Sequence, residues 1–267
     1  MGRPLENRTA FVTGSVQGIG LAIAKSLAGA GANIALHGLA TADEARSAMD
    51  EMRAAGAGDV IFLDADLRGG AAIDAMIEKL RGWRDIDILV SNAGIQKTTA
   101  LADATPAIWD AVLAVNLSAP FHIMRQLLPG MGARGFGRVI NIASVHGLVA
   151  SKDKAPYVSS KFGLVGLSRV AALEYASAGT RASGGVTVNC ICPGWTETAI
   201  IEPQIAARAA EAGGREQAIA SLLSEKQPSR RLSDPSEIGT LCLWLCDRAA
   251  HNVTGISIPV DGGWTAQ

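Results

Sequence analysis

The chain has 267 residues, 48% of them hydrophobic and 4% aromatic, with 24 Lys and Arg against 25 Asp and Glu. That is ample chain for a sizeable core, and it excludes a disordered or fibrous polymer. The balanced charge offers no basic block to nucleic acid or to an anionic membrane, and no run approaches the roughly 18 apolar residues of a membrane span, so the expected partner is a small-molecule substrate.

The polar start, Met1 to Arg8, carries nothing like a secretory signal, and a cytoplasmic location is expected. From there, short β-rich runs at 9–13, 33–37, 60–63, 86–90, 138–142, 186–191 and 256–260 alternate with helical stretches such as 20–30, 42–55 and 71–81. Helices between consecutive strands force parallel pairing and right-handed crossovers. The expected fold class is α/β: one domain over 1–267, a doubly wound parallel sheet of seven strands with helices on both faces. Ligands then bind beyond the carboxyl ends of the strands.

The first strand leads into Thr13-Gly14-Ser15-Val16-Gln17-Gly18-Ile19-Gly20. Gly14 suits a tight exit from the strand, Gly18 close approach to a pyrophosphate and Gly20 close helix packing, with the helix N-terminus facing negative charge. Such a glycine cluster is a weak signal by itself. The second strand ends in His37-Gly38-Leu39, with neither an acid for ribose hydroxyls nor a base for a 2′-phosphate. Gln17 also stands where a basic residue would bind that phosphate, so NAD is the expected cofactor. Asp66-Leu67 after the third strand suits the adenine edge, and Asn92-Ala93-Gly94 after the fourth suits the cofactor cleft.

Past the fifth strand stands Ser144, followed by Tyr157 and Lys161 on one face of a helical stretch reaching about Tyr175. A tyrosine with pKa near 10 becomes a base only beside positive charge, which the Lys161 ammonium and a cationic nicotinamide would supply. Ser144 would hold the substrate oxygen, and Asn116 would steady Lys161, directly or through a water. Cys190 and Cys192, expected on opposite faces of the sixth strand, and Cys242 and Cys246 on an apolar helix read as buried, reduced thiols, and no metal is assigned. The stretch 196–231 suits a substrate lid or a plain surface excursion, and the apolar helix 238–246 must be buried somewhere.

In order, Thr13-Gly14 to Gly20, Asn92-Ala93-Gly94, Asn116, Ser144, Tyr157/Lys161 and Pro193-Gly194 resemble the short-chain dehydrogenase/reductase family over nearly the whole chain. The resemblance implies a Rossmann-like fold and a homotetramer. It implies Tyr157 as catalytic acid/base, Ser144 orienting substrate, Lys161 lowering the tyrosine pKa and binding nicotinamide ribose, and Asn116 completing a proton relay. Pro193, Gly194, Trp195 and Thr198 would flank the nicotinamide.

Longer words, among them Ser144-Val145-His146-Gly147-Leu148-Val149 and Val260-Asp261-Gly262-Gly263-Trp264, resemble the 3-hydroxybutyrate dehydrogenase branch of that family. That likeness implies a substrate carboxylate held by Gln96, His146, Lys154 and Gln204, with Trp195 and Trp264 closing the pocket. A short hydroxy acid has little apolar area, so charge-assisted hydrogen bonds must carry its recognition, and Lys154 supplies a cation. The Gly/Ser-rich stretch 179–185 is longer than that branch's pattern. Competing readings are a reductase of a 3-oxoacyl carrier, sugar or polyol, and a catalytically silent nucleotide sensor on the same fold.

Overall fold

Strands whose apolar residues fall on both faces, rather than at alternate positions, need cover on both faces. The computed structural model, which describes residues 3–266, provides it. The strands are β1 (Thr9–Val12), β2 (Asn33–His37), β3 (Val60–Leu63), β4 (Ile88–Ser91), β5 (Phe136–Ile142), β6 (Gly185–Pro193) and β7 (Ser257–Val260). They form one sheet in the order β3-β2-β1-β4-β5-β6-β7, every pairing parallel. The helices are α1 (Gly18–Gly29), α2 (Ala42–Ala55), α3 (Gly70–Trp83), α4 (Pro106–Leu113), α5 (Ala119–Arg134), α6 (Ala155–Tyr175), α7 (Glu202–Ala212), α8 (Arg215–Lys226) and α9 (Pro235–Cys246).

Two apolar cores flank the sheet. Ile23 and Leu27 of α1, Met52 of α2 and Ile238, Cys242 and Leu245 of α9 cover one face. Ile73, Ile77 and Leu80 of α3 with Ile123, Leu127 and Met131 of α5 cover the other. Thus the apolar helix expected at 238–246 is largely core, packed on α1. Strand order reverses between β1 and β4, which opens a crevice at their carboxyl ends.

Most elements lie within two residues of their expected positions, and β2, β3 and α2 coincide with theirs. The fourth strand is shifted to Ile88–Ser91, and Asp87 just before it accepts from Arg8 and from the Thr9 amide at the sheet's base. A second correction concerns length. α4, a π-turn (Ala114–Ser118) and α5 run on as one helix, Pro106–Arg134, long and apolar enough by composition to cross a membrane, although no such run was expected. Its inner side belongs to the second core through Ala119, Ile123, Met124, Leu127, Leu128 and Met131. A third correction concerns the thiols: Cys190 and Cys192 share one face of β6, since residues two apart on a strand do so, and both sit with Leu164 and Val165 of α6.

The long stretch at 179–185 lies at the amino end of β5 and β6. Ser183 donates to the Gly135 carbonyl at 2.7 Å, and the buried Arg138 guanidinium donates to the carbonyls of Gly184 and Gly185. That places it at the end of the sheet opposite the crevice.

Candidate active site

A cavity of about 500 Å³ runs along the carboxyl ends of the strands, from Leu39 and Asp66 at one end to Lys154 and Gln204 at the other. At the first end the glycine turn forms the floor. Gly14 has φ +61°, and a Cβ there would stand 2.8 Å from the Ala93 Cα. A Cβ on Gly20 would fall on the Gly14 carbonyl and the Asn92 amide. No side chain larger than hydrogen fits either place, so these two glycines let the turn close against Asn92-Ala93, and the N-terminus of α1 meets the cavity at Gly18 and Ile19.

Asn92 Nδ2 donates to the carbonyls of Thr13 (3.0 Å) and Gly14 (2.8 Å), while Thr13 Oγ1 accepts from the Asn92 and Ala93 amides. Asn92-Ala93-Gly94 therefore braces the turn as well as lining the cleft. Ser15, expected among the cofactor contacts, points the other way: it is buried, its hydroxyl donates to the Val12 carbonyl at 2.8 Å and accepts from the His37 amide at 3.0 Å. Gly20 likewise packs behind the turn rather than on the cavity. Gln17, Gly18, Ile19, Leu39, Asp66, Leu67 and Thr198 all line it.

Two residues at this end escaped the sequence reading. His37 accepts the Gly14 N–H at Nδ1 (3.1 Å) and bonds the Ala65 carbonyl through Nε2 (3.0 Å). Arg68 brings a cation to the wall, though Asp66 grips its guanidinium through both carboxylate oxygens and is itself held down to about 2 by that hydrogen bonding. Spacing gave no signal for either. Only pairing β2 with β1 and β3 brings them to the turn.

Midway, Ser144 follows β5, and Tyr157 and Lys161 rise from the first turns of α6. Lys161 Nζ donates to the Ile142 carbonyl at 2.8 Å and lies 5.7 Å from the Tyr157 ring centre. Burial lowers the Lys161 ammonium to about 8, and it pushes the Tyr157 hydroxyl up, against a downward pull from the Ser144 hydroxyl.

Asn116 reaches this group only indirectly. It sits in the π-turn, lines no part of the cavity and makes no direct bond to Lys161. Its Oδ1 accepts from the Ile95 amide at 2.9 Å, and its Nδ2 donates to the Ile95 carbonyl and to Ser160 Oγ at 3.1 Å. Ser160 in turn donates to the Tyr157 carbonyl at 2.7 Å. Asn116 reaches the α6 residues through that chain, with Gly94 lying between its Oδ1 and Lys161 Nζ.

At the far end, segments distant in sequence converge. Lys154 Nζ donates to Gln204 Oε1 at 3.1 Å and stands 5.2 Å over the Trp195 ring. Trp264 packs 6.0 Å from Trp195 and edge-on to His146 at 5.4 Å. Gln96, half-buried, lines the same cavity. Burial, with Arg208 nearby, lowers Lys154 to about 8; burial with Lys154 and Lys226 lowers His146 to about 4. The His146 Nδ1 contact with the Val149 carbonyl (3.3 Å) needs N–H there, so the neutral ring turns a lone pair outward at Nε2.

The 196–231 stretch roofs this end: Ile205 of α7 and Leu222 and Leu223 of α8 cluster under Trp195. Gln227 then fixes the Trp195 amide at 3.0 Å. Among the described residues no group of three His, Cys, Asp or Glu is placed to hold a metal ion.

The site can thus hold a polyanionic dinucleotide along the glycine turn and present a hydroxyl pair and an ammonium to a small polar molecule beneath the tryptophans. Residues 8–209 match the family model described as short chain dehydrogenase. The chain is 46% identical over 266 residues to a D-beta-hydroxybutyrate dehydrogenase of Cupriavidus necator, spanning 98% of this chain and all of that protein. It is 43% identical to another of that name from Rhizobium meliloti, over 97% of this chain and 99% of that one. Its structure superposes at TM-score 0.91 and 28% identity, over all of both chains, on the L-sorbose reductase of Gluconobacter frateurii complexed with NADPH and L-sorbose. The chain belongs to the short-chain dehydrogenase family, oxidoreductases whose fold holds a nicotinamide dinucleotide.

Proposed function

We propose that the chain catalyses the reversible, NAD-dependent oxidation of D-3-hydroxybutyrate, or a closely related short 3-hydroxy acid, to the 3-oxo acid. The observation that carries this reading is the meeting of Lys154 and Gln204 at 3.1 Å beneath Trp195, in the same cavity as Tyr157. Gln204 offers its oxygen to Lys154, which leaves its amide N–H groups, with the ammonium, for a carboxylate. The names of the two hydroxybutyrate dehydrogenase relatives point to the same substrate.

The turn from Gly14 to Ile19, closed from behind by Gly20, fits the dinucleotide pyrophosphate, with Asp66 and Leu67 at the adenine and Lys161 and Thr198 toward the nicotinamide. The dinucleotide supplies the hydride acceptor. Ser144 holds the substrate hydroxyl against Tyr157, which takes the hydroxyl proton as the carbonyl forms and returns it in reduction. Since burial raises Tyr157, the positive nicotinamide ring supplies the charge that favours tyrosinate. Asn116 positions Tyr157 through Ser160, and α7 and α8 act as the lid. NAD is favoured because Arg68, the cation at the adenosine end, is already paired with Asp66.

Exposed apolar side chains support a homotetramer: Phe121 on α5, Phe162 and Leu173 on α6, and Trp244 on α9. The test is an absorbance assay of NAD and NADP reduction with hydroxy acids, sugars and secondary alcohols. Rapid turnover of D-3-hydroxybutyrate with NAD is expected; activity confined to NADP or to sugars overturns the reading.

A further inference from the structure

We propose that His37 is the positioning residue of the dinucleotide cradle, an uncharged strut that joins the phosphate-binding turn to the segment after β3 and must stay neutral for tight dinucleotide binding. The proposal rests on dinucleotide binding alone, whatever the substrate proves to be.

A backbone amide can only donate and a carbonyl can only accept. Gly14 N–H to Nδ1 at 3.1 Å and Nε2 to the Ala65 carbonyl at 3.0 Å therefore admit a single form of the ring, neutral with its proton on Nε2. The backbone of His37 repeats the connection. Its amide donates to Ser15 Oγ at 3.0 Å, and its carbonyl accepts from the Ser15 amide at 2.8 Å. One buried residue thus holds Gly14 on one lip of the cavity, with Ser15 behind it, and through Ala65 reaches the Asp66-Leu67 pair on the other.

An imidazolium would set an N–H against the Gly14 N–H and break the first of these bonds. Little around the ring would welcome that charge. β1 presents the edge of Phe11, with ring centres 6.4 Å apart, and the glycine turn presents Ser15, Val16 and Gln17. The segment after β3 carries Asp64, which favours the cation, while its Asp66 is spent on Arg68. Burial outweighs Asp64 and lowers the His37 pKa.

The experiment measures dinucleotide dissociation constants by calorimetry on the full chain, for wild type, His37→Phe and His37→Asn, between about pH 5 and pH 8. His37→Phe keeps a ring but leaves the Gly14 amide unpaired, which is expected to weaken the dinucleotide about tenfold at neutral pH. Turnover at saturating dinucleotide should stay within about twofold, because the loss is in ground-state binding. His37→Asn restores an acceptor near the Nδ1 position and should recover most of the affinity. Acidification below the ordinary histidine pKa should weaken wild type and leave His37→Asn flat. A His37→Phe constant within about twofold of wild type overturns the proposal. So do acid profiles that coincide for wild type and His37→Asn, a comparison that stands even if His37→Phe does not fold. Absence of hydroxy-acid turnover would sink the substrate reading and leave these constants measurable.

Discussion

At the dinucleotide end of the cavity the surface is mostly backbone, and the residues that shape it stand close together in sequence: Gly14, Gly18 and Gly20 within one turn, Asn92 and Ala93 within another. At the Lys154 end the surface is side chains drawn from four separate segments, with His146, Lys154, Gln204 and Trp264 spread over more than a hundred residues. A backbone cradle suits phosphates, which every dinucleotide carries, and side chains discriminate small substrates. The first region is therefore rigid and general, and the second is where this chain's specificity would reside.

The largest effect should come from the residue between the two. Tyr157→Phe is expected to lower turnover about a thousandfold, since it deletes the proton acceptor, while dinucleotide affinity stays within about twofold. Stopped-flow turnover with calorimetric binding checks it, and near-normal turnover would remove Tyr157 from the mechanism. Next, Gly20→Ala drives a methyl group into the Gly14 carbonyl and Asn92. It should cost about 2–3 kcal/mol of stability and abolish tight dinucleotide binding. Thermal unfolding reads the first and calorimetry the second; an unshifted melt would mean the cradle is softer than its geometry.

At the other end, Lys154→Ala should raise KM for a hydroxy acid about 10- to 100-fold and spare an uncharged secondary alcohol and the dinucleotide. Equal losses on both substrates would erase the contrast between the regions. The smallest effect is one of pH. Because burial lowers Lys154 from 10.5 to about 8, its charge is present below that pH and lost above it. The inhibition constant of a short unreactive carboxylate should accordingly rise several-fold from about pH 7 to about pH 9, with Lys154→Arg holding it level. A flat wild-type profile would place the carboxylate elsewhere.

The alternation of apolar runs and helical stretches made the doubly wound sheet legible, since a parallel sheet buried on both faces demands it. Motifs confined to one turn, Gly14 to Gly20 and Tyr157 with Lys161, were legible for the same reason: their geometry is set by neighbours in the chain. What misled was any inference needing a side chain's direction. Ser15 looked like a phosphate contact and faces the core. Asn116, in the π-turn, bonds Ile95 and Ser160 and makes no direct bond to Lys161.

The sequence alone thus determined the layer order, the glycine cradle and the candidate tyrosine and lysine, all consequences of local conformation and hydrophobic period. The tertiary structure decided the rest. It turned His37 from a missing acid into a strut, tethered Arg68 to Asp66 and brought Gln204 to Lys154 across fifty residues. Those contacts depend on strand order and helix packing, which are fixed by burial summed over the whole chain and have no signature at any one position.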